Sequence, residues 1–211
     1  MAPQEQFVEL TLDSPKLTRR VRETFEPVGG VGINLASGTD YFPGWVNVDL
    51  YADRVDRRFN LEKLPWPIPS DGFDWAFADQ ILEHLPDRIG EQDGALAFLG
   101  EIHRILKPRG RAYVSVPHKD ASRSTAYRNI THRRFFIPEA VHALDSDHDD
   151  ADASVLAQAG FDFAVLDTIL RRRLQFTRWF DSSYHFPKWL GRRFEIGRPD
   201  QITWILQKRS E

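Results

Sequence analysis

Polar residues follow three apolar runs of the sequence, at positions where many proteins bind small molecules. Asp49 ends the run WVNVDL, Asn60 and Leu61 end RVDRRFNL, and Asp79 with Gln80 ends FDWAFADQ. A carboxylate can accept hydrogen bonds from a ribose diol, an asparagine can pair with an adenine edge, and a second carboxylate can hold an amino group. Each position also has an ordinary structural explanation, because Asp and Asn cap helices and form turns.

A run of small residues, Ala36, Ser37 and Gly38, follows Leu35 at the end of another apolar stretch, VGINL. Small side chains let the backbone approach a ligand closely, and Gly38 can adopt a positive φ. A plain tight turn explains the same residues equally well.

Three histidines are candidates for a general base, because imidazole titrates near neutral pH. His118 directly follows the apolar run RAYVSVP, His84 follows the FDWAFAD run, and His132 lies in a polar stretch further along. A metal site made of all three would require a convergence that the sequence does not indicate. We therefore predict no metal site, and rank His118 first among the candidate bases.

These residues must be positioned by strands that alternate with helices. Patterns of apolar residues predict helices over 15–26, 91–106, 137–144 and 152–159, and a helix that begins at Ile81. Alternating strands and helices are typical of a mostly parallel sheet covered on both faces, which binds ligands beyond the carboxyl ends of its strands. The seven predicted strands cover residues 31–38, 45–50, 54–61, 73–79, 111–117, 161–170 and 201–208.

The link between the first two strands is unusually short. Between Ala36 and Trp45 there is no room for a crossover helix, which requires a dozen or more residues. We predict that the helix after the first strand is reduced or absent.

Three stretches of the chain, spanning residues 31 to 118, resemble the class I S-adenosylmethionine-dependent methyltransferases. They read INLASGTDYFPGWVNVDL, FNLEKLPWPIPSDGFDWAFADQILEHLPD and FLGEIHRILKPRGRAYVSVPH. Similar small methyltransferases carry LNLGCG, LEKLPWP and LEH at these places, and THRRFFIPEAV at 131–141 is a weaker echo. The resemblance implies a Rossmann-like three-layer α/β sandwich, whose seven-stranded sheet is parallel except for an antiparallel last strand.

The resemblance also implies S-adenosyl-L-methionine as the cofactor. This sequence has Ala36, Ser37 and Asn60 where the similar proteins have Gly, Cys and Asp, and all three replacements are compatible with binding. Glu83 and His84 match the LEH motif. The implied contacts are Leu35, Ala36, Ser37 and Gly38 under the methionine end, Asp49 with Leu50 at the ribose, Asn60 and Leu61 at the adenine, and Asp79 and Gln80 near the amino acid moiety and sulfonium.

The segment 171–197 holds seven Arg or Lys residues against two acidic ones, interleaved with aromatics. It could form a lid that recognises an anionic or aromatic acceptor, since Arg suits carboxylate and phosphate groups. Alternatively, its aromatics complete the core and its arginines are solvated.

Composition narrows the choice of function. The net charge of −3 argues against a nucleic-acid partner, and the absence of Cys excludes disulfides and a cysteine nucleophile. No apolar run is long enough to span a membrane, and no signal peptide is evident, so we expect a cytoplasmic protein. We expect a single domain over 1–211, with an N-terminal extension (1–30), a cofactor-binding half (31–118) and an acceptor-side half (119–211).

We predict a methyltransferase that acts on an O or N atom of a small-molecule acceptor. The alternative is a non-catalytic methyltransferase-like protein that partners another enzyme. A nicotinamide dehydrogenase is disfavoured because the first turn lacks G-x-G-x-x-G. The sequence fixes neither the acceptor nor the oligomeric state.

Overall fold

A six-stranded mixed sheet organises the part of the chain that the computed structural model describes, residues 30–120, 125–171 and 201–210. Within these ranges the strands are β1 (Gly32–Leu35), β2 (Val46–Val48), β3 (Phe73–Asp79), β4 (Arg88–Ile89), β5 (Gln92–Asp93), β6 (Leu106–Pro117), β7 (Phe163–Arg171) and β8 (Gln201–Lys208). The sheet order is β2-β1-β3-β6-β8-β7, and β4 pairs with β5 in a separate antiparallel hairpin.

Strands β2, β1, β3 and β6 pair in parallel, whereas β8 is antiparallel to both of its neighbours, β6 and β7. The sheet is therefore mostly parallel with an antiparallel last strand, as predicted. Each parallel strand ends at the same edge of the sheet, so the residues that follow these strands are neighbours in space.

The helices of the described residues are α1 (Gly94–Ile105), α2 (Thr125–Arg128) and α3 (Ala153–Ala159), together with the 3-10 helices Leu82–His84 and Pro138–Leu144. The side chain of Asp93 begins α1 by accepting hydrogen bonds from the backbone N–H groups of Ala95 and Leu96. None of the helices in the described ranges is long and apolar enough to cross a membrane.

Apolar residues are buried on both faces of the sheet. On β3, Ala76 and Ala78 face a large cluster that includes Phe98 and Ile102 of α1. Their neighbours Trp75 and Phe77 face a second cluster with Phe42, Tyr113 and Ile205. This alternation follows from the two-residue period of a strand, and it explains why both faces of β3 carry buried apolar residues between Asp74 and Asp79.

One of the seven predicted strands does not form. Residues 54–61 contribute a single parallel bridge, between Arg57 and Val48, so the sheet has six strands and not seven. The reason is local, because the Asp56 carboxylate accepts a hydrogen bond from the backbone N–H of Asn47 at 2.8 Å. In a regular parallel strand a backbone carbonyl of residues 54–61 would have accepted from this N–H. Here the Asp56 side chain accepts instead.

Two predicted helices are also shorter or tighter than expected. The helix predicted from Ile81 is the single 3-10 turn Leu82–His84, and the one predicted over 137–144 is the 3-10 helix Pro138–Leu144. The helix predicted over 15–26 lies outside the described residues.

The proline-rich loop after residue 61 is fastened to α1 by a buried carboxylate. Glu101 accepts the backbone N–H of Trp66 at 2.7 Å and pairs with the guanidinium of Arg104 through both oxygens, each at 2.7 Å. Arg104 also donates to the carbonyls of Trp66 and Ile68. The indole of Trp66 in turn donates to the Leu61 carbonyl at 3.0 Å, which holds residues 60–61 in place.

The connection from β1 to β2 contains no helix, as predicted, and it folds around the side chain of Asn47. This side chain is fully buried. Its amide oxygen accepts the N–H of Phe42 at 2.8 Å, and its amide nitrogen donates to the carbonyls of Phe42 and Trp45 and to Asp56. Asn34 of β1 donates to the same amide oxygen at 3.1 Å.

Replacing Asn47 with Leu should therefore destabilise the protein. The substitution keeps the volume but leaves the buried N–H of Phe42 unpaired and removes the hydrogen bond to the partly buried Trp45 carbonyl. An unpaired buried group costs about 1–3 kcal/mol, so we expect a loss of about 2–4 kcal/mol in the free energy of unfolding. Urea denaturation followed by circular dichroism measures this loss. Asn60→Ala is the matched control, because Asn60 makes one turn hydrogen bond and should cost about 1 kcal/mol. Equal effects of the two substitutions would contradict the role assigned to Asn47.

Candidate functional site

The carboxyl ends of β1, β2, β3 and β6 bring most of the predicted site residues to one edge of the sheet. Leu35 of β1 is in register with Val48 of β2 and with Ala78 of β3, and Asp79 is in register with Ser115 of β6. The residues that follow these strands therefore line a common edge, as the sequence predicted.

The turn after β1 has an unusual backbone. Ala36 has a φ of 54° and Gly38 a φ of 52°, both in the left-handed region. The N–H of Ser37 donates to the Val48 carbonyl at 2.9 Å, which ties the turn to the end of β2. A Cβ atom added to Gly38 would meet no atom within 4 Å, so the backbone there borders open space that a ligand can enter.

Asp49 is held by the backbone that surrounds it. One carboxylate oxygen accepts the N–H of Gly38 at 2.9 Å, and the other accepts the N–H groups of Tyr51 and Ala52 at 2.7 and 2.9 Å. Partial burial raises the pKa of Asp49, but these hydrogen bonds outweigh it and hold the pKa below its ordinary value. A carboxylate has about four acceptor positions, so three bonds leave one for a ligand hydroxyl.

Residues next to Asp49 and at the predicted adenine position are also fixed by local hydrogen bonds. The carbonyl of Leu50 accepts from the Arg58 guanidinium at 2.8 Å. The side-chain oxygen of Asn60 accepts the N–H of Glu62 at 2.8 Å in a turn, so its amide nitrogen is the group that can donate to a ligand. Leu61 is buried and belongs to the larger apolar cluster.

Asp79 and Gln80 join a polar cluster that sequence reasoning missed. Gln201, the first residue of β8, donates from its side-chain amide to Asp79 at 3.0 Å and also bonds the Ser115 hydroxyl. Gln80 has a φ of 57°, its N–H donates to the Ser115 carbonyl at 2.8 Å, and its side chain is exposed. A serine inside the apolar run RAYVSVP was the one available signal, because a buried hydroxyl in a strand requires a partner.

His118 lies at the end of β6, next to this cluster along the chain, and is nearly buried. Its Nδ1 accepts the backbone N–H of Asp120 at 3.0 Å. Burial lowers the pKa of His118, which favours the neutral ring. A neutral ring whose Nδ1 accepts a hydrogen bond carries its proton on Nε2, so this histidine presents a donor in this geometry.

The other two histidines, His84 and His132, lie together and apart from His118. Their ring centroids are 4.6 Å apart, in an edge-to-face arrangement. The carboxylate of Glu83 faces both rings and is 1% exposed. Burial raises the pKa of Glu83 to about 8. Of the three predicted histidines, the structure thus groups His84 with His132 and does not include His118.

The edge of the sheet fits the cofactor that the sequence predicted. Gly38 borders open space, Asp49 has an acceptor position left, and the buried hydroxyl of Ser37 has no hydrogen-bond partner among the described residues. Most of the basic, aromatic segment 171–197, proposed as an acceptor lid, lies outside the described residues.

Comparison with solved structures shows which proteins share this fold. A S-adenosylmethionine-dependent methyltransferase from Archaeoglobus fulgidus superposes with a TM-score of 0.57 at 15% identity, over 92% of this chain and 92% of that one. A chain of the Haloferax volcanii complex that contains the Trm112 methyltransferase activator gives a TM-score of 0.56 at 15% identity, over 92% and 88%. The [4+2]-cyclase SpnF gives 0.55 at 17% identity, over 93% and 82%.

These identities are low, so the likeness concerns the fold. It confirms the predicted Rossmann-like methyltransferase fold class, which SpnF also shares. No protein-family model matches the sequence, and no curated protein matches it.

The backbone at Ala36 yields a test of the first turn. A left-handed φ costs a residue with a Cβ about 1–2 kcal/mol, whereas Gly adopts it freely at a smaller cost in chain entropy. Ala36→Gly should therefore stabilise the protein by about 0.5–1 kcal/mol. Ala78→Gly, in the ordinary backbone of β3, is the control and should destabilise it. Thermal unfolding of both variants measures the difference, and destabilisation by Ala36→Gly would refute the assigned strain.

Proposed function

We propose that this protein is a S-adenosyl-L-methionine-dependent methyltransferase that transfers a methyl group to an O or N atom of a small-molecule acceptor. The observation that carries the proposal is the left-handed turn of small residues after β1, held against Asp49 through the N–H of Gly38. This turn leaves open space beside Gly38 and a free acceptor position on Asp49.

Different residues of the site would contact different parts of the cofactor. The turn from Leu35 to Gly38 would pass beneath the methionine end, where the lack of bulky side chains permits close approach. Asp49 would accept one ribose hydroxyl, and not two, because its other acceptor positions are already taken. The amide nitrogen of Asn60 would donate to the adenine edge.

Asp79 and Gln80 would lie beside the amino acid moiety. The amide of Gln201 holds Asp79, so this carboxylate is oriented before any ligand arrives. Preformed polar groups at fixed positions reduce the cost of ordering on binding.

When bound, the cofactor supplies a methyl group on a sulfonium, which is a good leaving group. The main task of the protein is then to hold the acceptor atom in line with that methyl group. His118 would donate from Nε2 to the acceptor, which orients it, and would serve as a base only after losing its bond from Asp120. The lid proposed over 171–197 would favour anionic or aromatic acceptors.

A second function remains open on a specific observation. Ala36 has a left-handed backbone at a position where the similar methyltransferases carry Gly. The resulting strain would weaken cofactor binding, and such a change is tolerated in a protein that does not use the cofactor. The alternative is a non-catalytic binding protein that partners another enzyme.

Calorimetry of the purified chain with S-adenosylmethionine and S-adenosylhomocysteine separates the two functions. We expect micromolar binding of both and no binding of NAD. Asp49→Ala should lower the affinity about 10–100-fold, because a hydrogen bond to a charged group contributes about 1.5–3 kcal/mol. Asp147→Ala is the control, because it removes an exposed carboxylate whose side chain pairs with Arg209, and it should bind as the unchanged protein does.

Failure of a folded sample to bind either ligand would refute the methyltransferase proposal and favour the non-catalytic partner. Binding that Asp49→Ala leaves unchanged would place the cofactor elsewhere on the sheet.

A further inference from the structure

Two histidines and a glutamate converge beside the carboxyl end of β3. The Nε2 of His84 is 3.9 Å from Oε1 of Glu83, and the Nε2 of His132 is 4.0 Å from the same oxygen. One ligand atom from each residue lies within 4.8 Å of the other two. His118 takes no part in this group.

The carboxylate of Glu83 lacks the partners that its burial requires. Among the described residues, no other side chain or backbone group donates a hydrogen bond to either of its oxygens. A buried carboxylate without compensating hydrogen bonds is costly. A cation at this place would compensate it.

Hydrogen bonds at the far side of each ring turn a lone pair toward Glu83. Nδ1 of His132 lies 2.7 Å from the Ala126 carbonyl, which can only accept, so this nitrogen carries the proton. The Thr131 hydroxyl donates its one hydrogen to Asn129 at 2.8 Å, so it accepts from Nδ1 of His84 at 2.9 Å. Each neutral ring then has its lone pair on Nε2.

This arrangement is the one found around metal-binding histidines, which donate their other N–H to a carbonyl or a similar acceptor. The donor at Nδ1 fixes both the tautomer and the orientation of the ring. If the two histidines only filled space in the core, their Nε2 atoms would have no reason to face the same carboxylate.

The backbone also holds the three residues together. The N–H groups of Arg133 and Arg134 donate to the carbonyl of Glu83 at 2.8 and 3.3 Å. The guanidinium of Arg134 donates to Asp93 at 2.9 Å and to the carbonyls of Pro86 and Asp87. The segment that carries His132 is thereby fixed against the 3-10 helix that carries Glu83 and His84.

We propose that Glu83, His84 and His132 bind one divalent transition-metal ion, with Zn²⁺ favoured by the two imidazoles and one carboxylate. Tetrahedral ligands at about 2.0–2.1 Å from zinc lie about 3.3 Å apart, so each of the two His–Glu separations would have to close by about 0.6–0.7 Å, and the His–His separation by at most about 1.5 Å. Three protein ligands leave a fourth position for water or for an oxygen or nitrogen of another molecule. The side chain of His84 is 30% exposed, which provides access to that position.

A second group, His142, His148 and Asp150, is less suited to hold an ion. The Asp150 side chain is 67% exposed, and Nδ1 of His148 already accepts the N–H of Asp150 at 3.1 Å. It supplies a control, because it too contains two histidines and one carboxylate.

The test is titration of the chelator-treated full chain with Zn²⁺ by calorimetry, and with Co²⁺ by visible absorption. We expect one ion per chain and the intense absorption of four-coordinate Co²⁺. Loss of a hydrogen bond that supports a ligand lowers metal affinity about 10–100-fold. Glu83→Gln and His132→Gln each remove a ligand and should therefore lower the Zn²⁺ affinity by more than this. His148→Gln should leave the affinity unchanged.

Thr131→Val keeps the three ligands and removes the hydroxyl that accepts from Nδ1 of His84 and donates to Asn129, so it should lower the affinity about 10–100-fold. If Glu83→Gln fails to fold, the Zn²⁺ affinity of Thr131→Val tests the proposal in its place. The proposal is overturned if the unchanged chain binds no Zn²⁺, if Glu83→Gln or Thr131→Val binds it as well as the unchanged chain, or if His148→Gln abolishes binding. None of these readouts depends on methyl transfer.

Discussion

The hydrogen bonds of the Asn47 side chain shape the edge of the sheet on which the candidate site depends. In most parallel sheets a helix connects neighbouring strands, and it supplies the first turn of a ligand site. Here one buried amide organises the whole connection, through Phe42, Trp45 and Asp56. The short connection then brings Gly38 directly against Asp49. A binding surface that usually requires two elements is built from one turn and one side chain.

Strongly patterned segments were predictable from the sequence, and weakly patterned ones were not. The strands at 73–79 and 201–208 have the predicted bounds, because their apolar residues leave no other way to bury both faces. Residues 54–61 have a similar but thinner alternation of Val55, Phe59 and Leu61. There the Asp56 side chain accepts from the N–H of Asn47, which a regular strand would have used for pairing. A pattern of hydrophobicity does not show such competition between a side chain and the backbone.

The site was predictable in part for the same reason. Positions directly after the strands, such as Asp49 and Asp79, follow from the topology once the strands are identified. Gln201 joins Asp79 only because β8 enters the sheet antiparallel to β6, in one register out of several. The grouping of Glu83 with His132 likewise depends on two backbone hydrogen bonds between distant segments. Contacts of this kind are set by three-dimensional register, which a single sequence does not encode in any local pattern.

The pairing of Arg171 with Gln201 has a consequence for how such a protein can diverge. These two residues face each other at the end of the β7–β8 ladder, next to the cluster formed by Asp79 and Ser115. Residues can be gained or lost between these two points without any change in strand register. Selection could thus replace the intervening residues of the sequence while the pairing of β7 with β8 is inherited unaltered.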